Sequence, residues 1–241
     1  MDLLIVGAGA MGRWFAGLVE ADLAFADVDR TAAEDAAAAL GGRAVALEGE
    51  ERFDVVCLAV PMDAVSTAVA AQAPRSTGAV VDLSGVMAGP VTAMAEHAPD
   101  RERVSFHPLF APENAPGRVA VVADAPGPLT DRLRTVLTEA GCTLFETTPA
   151  EHDRAMETVQ ARTHAAVLAF ALAAEDVPDA FGTPVYDALE GIVEDLTGGN
   201  PRVYADIQAT FDGAEDVARA AQAIADADRA TFESLYRDAR R

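Results

Sequence analysis

Three consecutive features near the start of the chain constrain the fold most. The apolar run Leu3–Val6 is typical of a buried parallel strand, and a G-x-G-x-x-G pattern follows at Gly7, Gly9 and Gly12 before an apolar helix start. The first glycine allows a tight turn, the second lets backbone approach a pyrophosphate, and the third lets the helix pack close to the strand. Free N–H groups at the helix N-terminus suit phosphates. The segment predicts a dinucleotide-binding βα unit, with Met11 among the cofactor contacts.

Short apolar runs alternate with helical stretches over the first 148 residues. The helical stretches include residues 31–40 and 129–140. Eight runs are strand-like, namely 3–6, 23–26, 44–47, 55–60, 79–83, 104–106, 119–123 and 143–146. This alternation favours an α/β fold with a doubly wound, Rossmann-type parallel sheet. The shorter connections between the last strands are compatible with antiparallel additions.

The pattern becomes helical after residue 148. Thr148 and Glu151 have the spacing of a capping box, which predicts the start of a long helix that runs to about Ala174. Further helices are predicted over 186–196, after the Asn200-Pro201 pair, and over 214–237. We therefore expect a dinucleotide-binding domain at 1–148 and a smaller helical domain at 149–241. A small, Ala-rich helical half commonly dimerises, so we expect a homodimer through this domain.

Composition restricts the partners. The chain has 241 residues and a formal net charge of −21, from 39 acidic and 18 basic residues, and every basic residue is arginine. Such a surface repels nucleic acids and anionic membranes, so we expect a small-molecule substrate instead. Self-repulsion at this charge weakens greatly when salt shortens the screening length to about 3 Å at roughly 1 M. This indicates a halophilic protein, and an ordinary acidic protein from a GC-rich genome is the alternative.

Cysteine usage and hydropathy indicate the compartment. Cys57 and Cys142 each lie in an apolar strand pattern, as small buried hydrophobic residues do, without disulfide or metal-ligand spacing. The chain begins with a strand pattern rather than a signal peptide, and no apolar run approaches 18 residues. We expect a cytoplasmic protein without a metal.

Four residues near the predicted carboxyl edge of the sheet are candidate cofactor contacts. Asp27 lies twenty residues after Gly7, where an acid receives the ribose hydroxyls and favours NAD over NADP. Arg30 could accommodate NADP, although a solvated residue at a helix start is the simpler interpretation. Val60 and Pro61 end the fourth strand, where ligands bind in open α/β sheets, and Pro61 also suits a helix start.

The segment Ser105–Glu113 carries the candidate reacting group. A strand delivers His107 to the carboxyl edge of the sheet, beside the expected nicotinamide. Removing a hydride from an alcohol requires that the hydroxyl proton be taken, and a neutral imidazole does this near pH 7. A histidine that only hydrogen-bonds in the turn before Pro108 is the alternative.

Six motifs in this order resemble the prephenate dehydrogenase family, which includes arogenate dehydrogenases. They are GAGAMG at 7–12, LAVP at 58–61, DLSGVM at 82–87, HPLFAPE at 107–113, EHDRAM at 151–156 with QARTH at 160–164, and NPRVYADI at 200–207. The resemblance covers nearly the whole chain. It implies a nucleotide domain, a helical dimerisation domain and NAD(P)-dependent oxidative decarboxylation of prephenate to 4-hydroxyphenylpyruvate, on the route to tyrosine.

The resemblance also implies roles for individual residues. His107 matches the catalytic histidine of the family, and Glu113 matches an acid at the mouth of the site. His164 matches a histidine that lines the substrate pocket, with Gln160 one helical turn earlier on the same face. The helix-start residues His152 and Asp153 match the family's EHD motif, where capping and orienting the domain junction is the simple interpretation.

Three positions depart from the family pattern. Gly85 and Met87 replace a serine and a lysine, so Ser84, one place earlier, is the remaining candidate for a catalytic hydroxyl. Asp195 occupies the position of an arginine that binds a substrate carboxylate in many relatives. The candidates to replace that arginine are Arg154, Arg162 and Arg202, of which we favour Arg202 as a substrate contact.

Two other functions stay open at this point. One is an NAD(P)-dependent reductase of another small substrate on the same scaffold. The other is a nucleotide-binding regulatory protein that has lost catalysis. The glycine loop and His107 argue against the regulatory role, whereas Gly85 and Asp195 argue for it.

Overall fold

The computed structural model describes residues 1–240, with the side chain of Asp179 excepted. The chain forms two compact units, Met1–Asp153 and a second that begins at Arg154. The division predicted from sequence, between residues 148 and 149, lies five residues earlier, and the functions assigned to the two domains stay predictions.

The first unit is built on a single eight-stranded sheet. Its strands are β1 (Asp2–Val6), β2 (Asp22–Ala26), β3 (Arg43–Ala44), β4 (Phe53–Leu58), β5 (Ser76–Asp82), β6 (Glu102–Pro108), β7 (Arg118–Ala125) and β8 (Thr143–Glu146). Their order in the sheet is β3-β2-β1-β4-β5-β6-β7-β8. Strands β1 to β6 are parallel, whereas β7 runs antiparallel to β6 and β8 parallel to β7. The predicted doubly wound α/β sheet with antiparallel additions is confirmed.

Five helices accompany this sheet. They are α1 (Ala10–Leu18), α2 (Arg30–Leu40), α3 (Val65–Gln72), α4 (Ala88–His97) and α5 (Pro128–Glu139). Helix α2 shows how the sequence sets the bounds. Its N-cap Asp29 accepts a hydrogen bond from the Thr31 N–H, and Gly41 ends it in the left-handed conformation.

Alternate residues of each central strand fill two hydrophobic cores, one on each face of the sheet. In β1, Leu3 and Ile5 belong to one core, while Leu4 and Val6 belong to the other. All four are buried, as expected for a parallel strand covered on both faces. Cys57 and Cys142 are buried free thiols, as predicted.

The remaining elements are helical, as predicted. They are α6 (Pro149–Met156), a π-helical segment (Glu157–Arg162), α7 (Thr163–Ala173), α8 (Pro184–Thr197), α9 (Pro201–Thr210), α10 (Ala214–Ala225) and α11 (Arg229–Asp238). The predicted caps are confirmed, because Thr148 accepts from the Glu151 N–H and Asn200 from the Arg202 N–H. Among residues 1–240, no helix is both long and apolar enough to cross a membrane.

Three predicted elements were wrong in extent. The strand 44–47 stops at Ala44, because the Leu47 carbonyl accepts from the Gln72 and Arg75 side chains instead of a neighbouring strand. The single helix from 149 to 174 is interrupted by the π-helical segment, where Gln208 Nε2 donates to the Ala161 carbonyl. The single helix over 214–237 is two helices, since the Asp228 side chain caps a new one at its N-terminus.

Candidate active site

The glycine loop between β1 and α1 has the geometry of a phosphate cradle. Gly7 has φ of +99°, and a Cβ there would lie 2.2 Å from the Ala59 carbonyl oxygen. A Cβ on Gly12 would lie 2.1 Å from the Gly7 carbonyl oxygen, so these two positions require glycine. A Cβ on Gly9 would meet nothing within 4 Å. The space above Gly9, at the N-terminus of α1, therefore fits the pyrophosphate of a dinucleotide.

Two side chains from the neighbouring chain segments hold this loop in place. Asp27, directly after β2, accepts a hydrogen bond from the Ala8 N–H at 2.7 Å and another from the Asp29 N–H. Arg13 donates to the Ala8 carbonyl at 2.8 Å and to the Ala32 carbonyl of α2. The half-buried Asp27 carboxylate thus lies at the loop, where the sequence predicted a ribose contact. Arg13 belongs to no recognised motif, so reasoning from the sequence missed it.

The other predicted cofactor residues lie around this loop. Val60 follows β4, and its Cγ1 atom is 3.2 Å from the Cβ position of Gly7. Pro61, the next residue in the loop after β4, is partly buried, and so is Met11 in the first turn of α1. The exposed Arg30 pairs with Glu34 one turn along α2. This pairing supports the interpretation of Arg30 as a solvated residue at a helix start.

Strand β6 brings His107 to the same edge of the sheet as the glycine loop. Both β1 and β6 belong to the parallel set, and the loop and His107 each lie at the carboxyl end of their strand. His107 is 6% exposed, and its Nδ1 atom lies 2.8 Å from Nε2 of His152. Burial foremost, and the neighbouring His152, lower the pKa of His107 to about 3, against the opposing effect of Asp153. The imidazole is therefore neutral at neutral pH, with a lone pair that can accept a hydrogen bond.

His152 connects His107 to a carboxylate. The His152 ring is 3% exposed, and its Nδ1 atom lies 2.8 Å from Oδ1 of Asp153. The Asp153 carboxylate also accepts hydrogen bonds from the Met87 and Ala88 N–H groups at the start of α4. Partial burial opposes ionisation, but the hydrogen bonds from His152, Met87 and Ala88 hold the pKa of Asp153 below its usual value. The result is a chain of groups from an ionised carboxylate to His107.

The loop after β5 places position 85, not position 84, against His107. A Cβ on Gly85 would lie 3.6 Å from His107 Nε2 and 2.8 Å from the Met62 sulfur. Ser84 Oγ instead accepts from the Val86 N–H at 3.3 Å. This contact occupies one lone pair of the hydroxyl and leaves its O–H able to donate, so the catalytic role of Ser84 stays a prediction. The residue facing Nε2 brings no hydroxyl of its own.

Asp82, at the end of β5, anchors the same turn. Its carboxyl group is fully buried, and Oδ1 accepts from the Ser84 N–H at 3.0 Å. Burial, opposed by this hydrogen bond and by Ser105, raises the pKa of Asp82 to about 7. Asp82 can therefore change its protonation state near neutral pH. It lies two residues before Ser84 and three before Gly85. The exposed Glu113 lies in the short helical turn after β6.

The second unit groups several of the predicted substrate residues. The His164 ring meets the Tyr204 ring edge-on, with centroids 4.9 Å apart. Buried polar atoms without a protein partner are present at Gln160 Oε1 and His164 Nδ1. Burial lowers the pKa of His164. Unsatisfied buried polar atoms are costly, so the Gln160–His164 face suits a polar ligand.

The arginines of this unit are not equivalent. Arg162 donates to Asp216 through Nε and Nη2 and lies 3.5 Å from Glu157. Arg202 is exposed in the first turn of α9. Arg162 is thus occupied by two acids of its own unit, whereas Arg202 extends into solvent.

Comparison with known proteins gives one consistent family. The family profile described as prephenate dehydrogenase, nucleotide-binding domain, matches residues 21–139. A 4-amino-4-deoxyprephenate dehydrogenase from Streptomyces pristinaespiralis is 31% identical over 99% of this chain and 89% of that protein. A probable arogenate/prephenate dehydrogenase from Methanocaldococcus jannaschii is 27% identical over 67% of this chain, which spans 40% of that relative.

Solved structures agree in fold. Prephenate dehydrogenase from Aquifex aeolicus, crystallised with hydroxyphenyl propionate and NAD+, is 19% identical, with a TM-score of 0.69 over 99% of this chain and 92% of that one. Arogenate dehydrogenase from Synechocystis is 17% identical, with a TM-score of 0.62 over 99% of this chain and 97% of that one. At these identities the likeness describes the fold alone.

Proposed function

Because the chain belongs to the prephenate dehydrogenase family, we propose that it catalyses the NAD(P)-dependent oxidative decarboxylation of prephenate to 4-hydroxyphenylpyruvate, in tyrosine biosynthesis. The observation that carries this proposal is the buried, neutral His107, which lies at the same sheet edge as the glycine loop. A neutral imidazole here can accept a proton from a substrate beside the nicotinamide.

The chemistry divides simply between cofactor and protein. Bound NAD(P) supplies the acceptor for the hydride. His107 Nε2 accepts the hydrogen bond and then the proton of the hydroxyl group on the reacting ring carbon. Loss of carbon dioxide makes the ring aromatic and supplies much of the driving force, so the residues mainly have to position and polarise the substrate.

The glycine loop and Asp27 support NAD as the preferred form of the cofactor. The Asp27 carboxylate would repel a 2′-phosphate, and the Arg30 guanidinium that could compensate is already paired with Glu34. We assign Gly7, Gly9 and Gly12 to the pyrophosphate turn.

For the substrate acid groups we propose Arg202, with Gln160 and His164 as further polar contacts from the same helical unit. Arg202 is favoured over Arg162, because Asp216 and Glu157 already neutralise the latter. The exposed Glu113 remains a candidate at the mouth of the site.

A second substrate has a specific observation in its favour. The relative that aligns with 99% of this chain is a 4-amino-4-deoxyprephenate dehydrogenase. The side-chain position that faces His107 Nε2 is Gly85, which offers no hydroxyl to a substrate hydroxyl. With the amino substrate, Nε2 would accept a proton from nitrogen instead of oxygen.

The helical unit supports a homodimer. Its buried hydrophobic residues are few, namely Met156, Ala161, Val167, Leu196, Ile207 and Phe211. Several large apolar side chains are exposed on it, including Leu172, Phe181, Val185, Ile192, Ile224, Phe232 and Tyr236. A second copy of the chain would cover such surfaces and complete the small core.

We infer that the enzyme works at high salt, because 21 excess negative charges on 241 residues repel one another strongly in dilute buffer. The cytoplasmic location stays a prediction.

The function is tested by incubating the purified protein with NAD in about 2 M KCl and measuring NADH absorbance with prephenate, arogenate and 4-amino-4-deoxyprephenate in separate reactions. Turnover of prephenate supports the proposal, and preference for the amino compound supports the second candidate. Cofactor binding without turnover of any of the three would overturn both.

A further inference from the structure

One ring nitrogen of His107 is held by protein and the other faces the substrate side of the loop after β5. Nδ1 lies 2.8 Å from His152 Nε2. Nε2 lies 3.6 Å from the Cβ position of Gly85. For His107 to act as a base, Nε2 must be unprotonated, so the neutral ring must carry its proton on Nδ1.

The hydrogen-bond partners decide where that proton is. An ionised carboxylate only accepts hydrogen bonds, so the 2.8 Å contact with Asp153 Oδ1 places a proton on His152 Nδ1. A neutral His152 then has a lone pair on Nε2. This lone pair accepts the Nδ1–H of His107, which leaves Nε2 of His107 free.

We propose that His152 and Asp153 are positioning residues that fix the base-competent tautomer of His107. The identity of the substrate group that gives its proton to Nε2 rests on the proposed function, whereas the assignment of the His107 tautomer does not. When Nε2 takes the substrate proton, an N–H bond forms on the imidazole. The bond that breaks is the O–H bond of a hydroxyl substrate or an N–H bond of an amino substrate. The resulting imidazolium donates its Nδ1–H to His152, whose own Nδ1–H faces the Asp153 carboxylate, so the new positive charge is balanced at the end of the chain.

A purely structural role for Asp153 makes a different prediction. Its carboxylate also accepts from the Met87 and Ala88 N–H groups, so it caps α4. In the wild type the Met87 N–H donates to Oδ1 and the Ala88 N–H to Oδ2, so the single oxygen of Asp153→Asn can serve only one of these two places. When that oxygen accepts from Ala88, the amide NH₂ takes the place of Oδ1 and faces His152 Nδ1. His152 would then carry its proton on Nε2 and donate to His107 Nδ1. The proton of His107 would move to Nε2 and block the base.

The direct test is the ¹⁵N NMR spectrum of the histidine rings in the wild-type protein without substrate. Only His97, His107, His152 and His164 contribute signals, and His→Gln variants assign them. We expect His107 protonated on Nδ1 in wild type and on Nε2 in Asp153→Asn. A wild-type His107 protonated on Nε2 would overturn the proposal. This reading requires no turnover, so it stands or falls independently of which substrate the enzyme uses.

Kinetics gives a second readout on whichever substrate is turned over. Both His152→Gln and Asp153→Asn should lower kcat by about a hundredfold, with KM changed less than about threefold. The matched controls are His97→Gln, an exposed histidine at the end of α4, and Asp124→Asn, a carboxylate that pairs with Arg103. The controls should retain wild-type kcat. Loss of thermal stability with unchanged kcat and unchanged His107 tautomer would show that Asp153 only caps α4.

Discussion

The Asp27 carboxylate accepts a hydrogen bond from the Ala8 N–H at 2.7 Å and thereby joins the end of β2 to the glycine loop. One acid therefore has two tasks. It fixes the loop that cradles the pyrophosphate, and it presents a negative charge where the adenine ribose is expected. We therefore expect cofactor affinity and cofactor choice to be coupled through this single side chain.

Replacing that acid should change the preference between the two cofactors. We expect Asp27→Ser to raise the KM for NAD by about tenfold and to improve NADP relative to NAD, because the charge that repels a 2′-phosphate is gone. The measurement is kcat/KM with each cofactor. Asp35→Ser, which removes an exposed acid of α2, is the control and should leave the ratio unchanged. An unaltered NAD to NADP ratio in Asp27→Ser would place the ribose elsewhere.

Two glycines of the loop should respond differently to the same change. Gly7→Ala puts a Cβ 2.2 Å from the Ala59 carbonyl oxygen at a positive φ, so it should destabilise the fold by about 2 kcal/mol or more. Gly9→Ala meets only open space and should cost less than about 1 kcal/mol. It should nevertheless weaken NAD binding about tenfold or more, since the methyl group occupies the pyrophosphate space. Thermal unfolding and NAD titration separate the two effects, and unimpaired NAD binding by Gly9→Ala would contradict the cradle.

Asp82 should make stability depend on pH in a defined window. Its folded pKa of about 7 lies above the ordinary carboxyl value, so the folded state binds more protons than the unfolded state between about pH 4 and 7. Asp82 therefore lowers the free energy of unfolding as pH rises through this window, by up to about 1.4 kcal/mol per pH unit. Asp82→Asn cannot ionise and keeps an acceptor for the Ser84 N–H. The stability difference between variant and wild type should grow from pH 5 to 7 and level off above it, and a difference independent of pH would refute the assignment.

We expect the exposed apolar surface of the helical unit to be buried against a second copy of the chain in a dimer. Sedimentation equilibrium in about 2 M KCl should give twice the chain mass for the wild type. Phe232→Asp and Leu172→Asp, which place charges on this surface, should shift the protein toward monomer. Val28→Asp, at an exposed apolar position of the first unit, is the control and should stay dimeric. A wild-type protein that sediments as a monomer would rule out the homodimer.

Local patterns predicted most of the sheet and the cofactor loop, because strands buried on both faces and glycines at fixed spacing have strong signatures. The eight strands were all anticipated, although β3 is shorter than expected because side chains distant in sequence bind the Leu47 carbonyl. The break between α10 and α11 was missed because Asp228 lies within a continuous helical pattern, where the sequence does not distinguish an N-cap from an exposed helix residue. Such choices depend on which hydrogen bonds the folded chain completes.

The site was predicted less completely than the fold. His107 was found because it follows a strand pattern that delivers it to the predicted carboxyl edge of the sheet. The connection of His107 to His152 spans 45 residues, and Arg13 binds the carbonyl of Ala32 nineteen residues away, so neither contact leaves a local pattern. The catalytic role of Ser84 stays a prediction, and the side-chain position that lies 3.6 Å from His107 Nε2 is that of the neighbouring Gly85.

Above all, we propose that His107 takes the substrate proton while NAD is bound at the glycine loop. The most direct measurement is a single-turnover experiment with prephenate and saturating NAD that compares wild type with His107→Ala, alongside NAD titration of both proteins. We expect NADH formation in His107→Ala to slow by about a hundredfold or more while the NAD Kd changes less than about twofold. An equal loss of NAD affinity, or NADH formation at the wild-type rate, would contradict it.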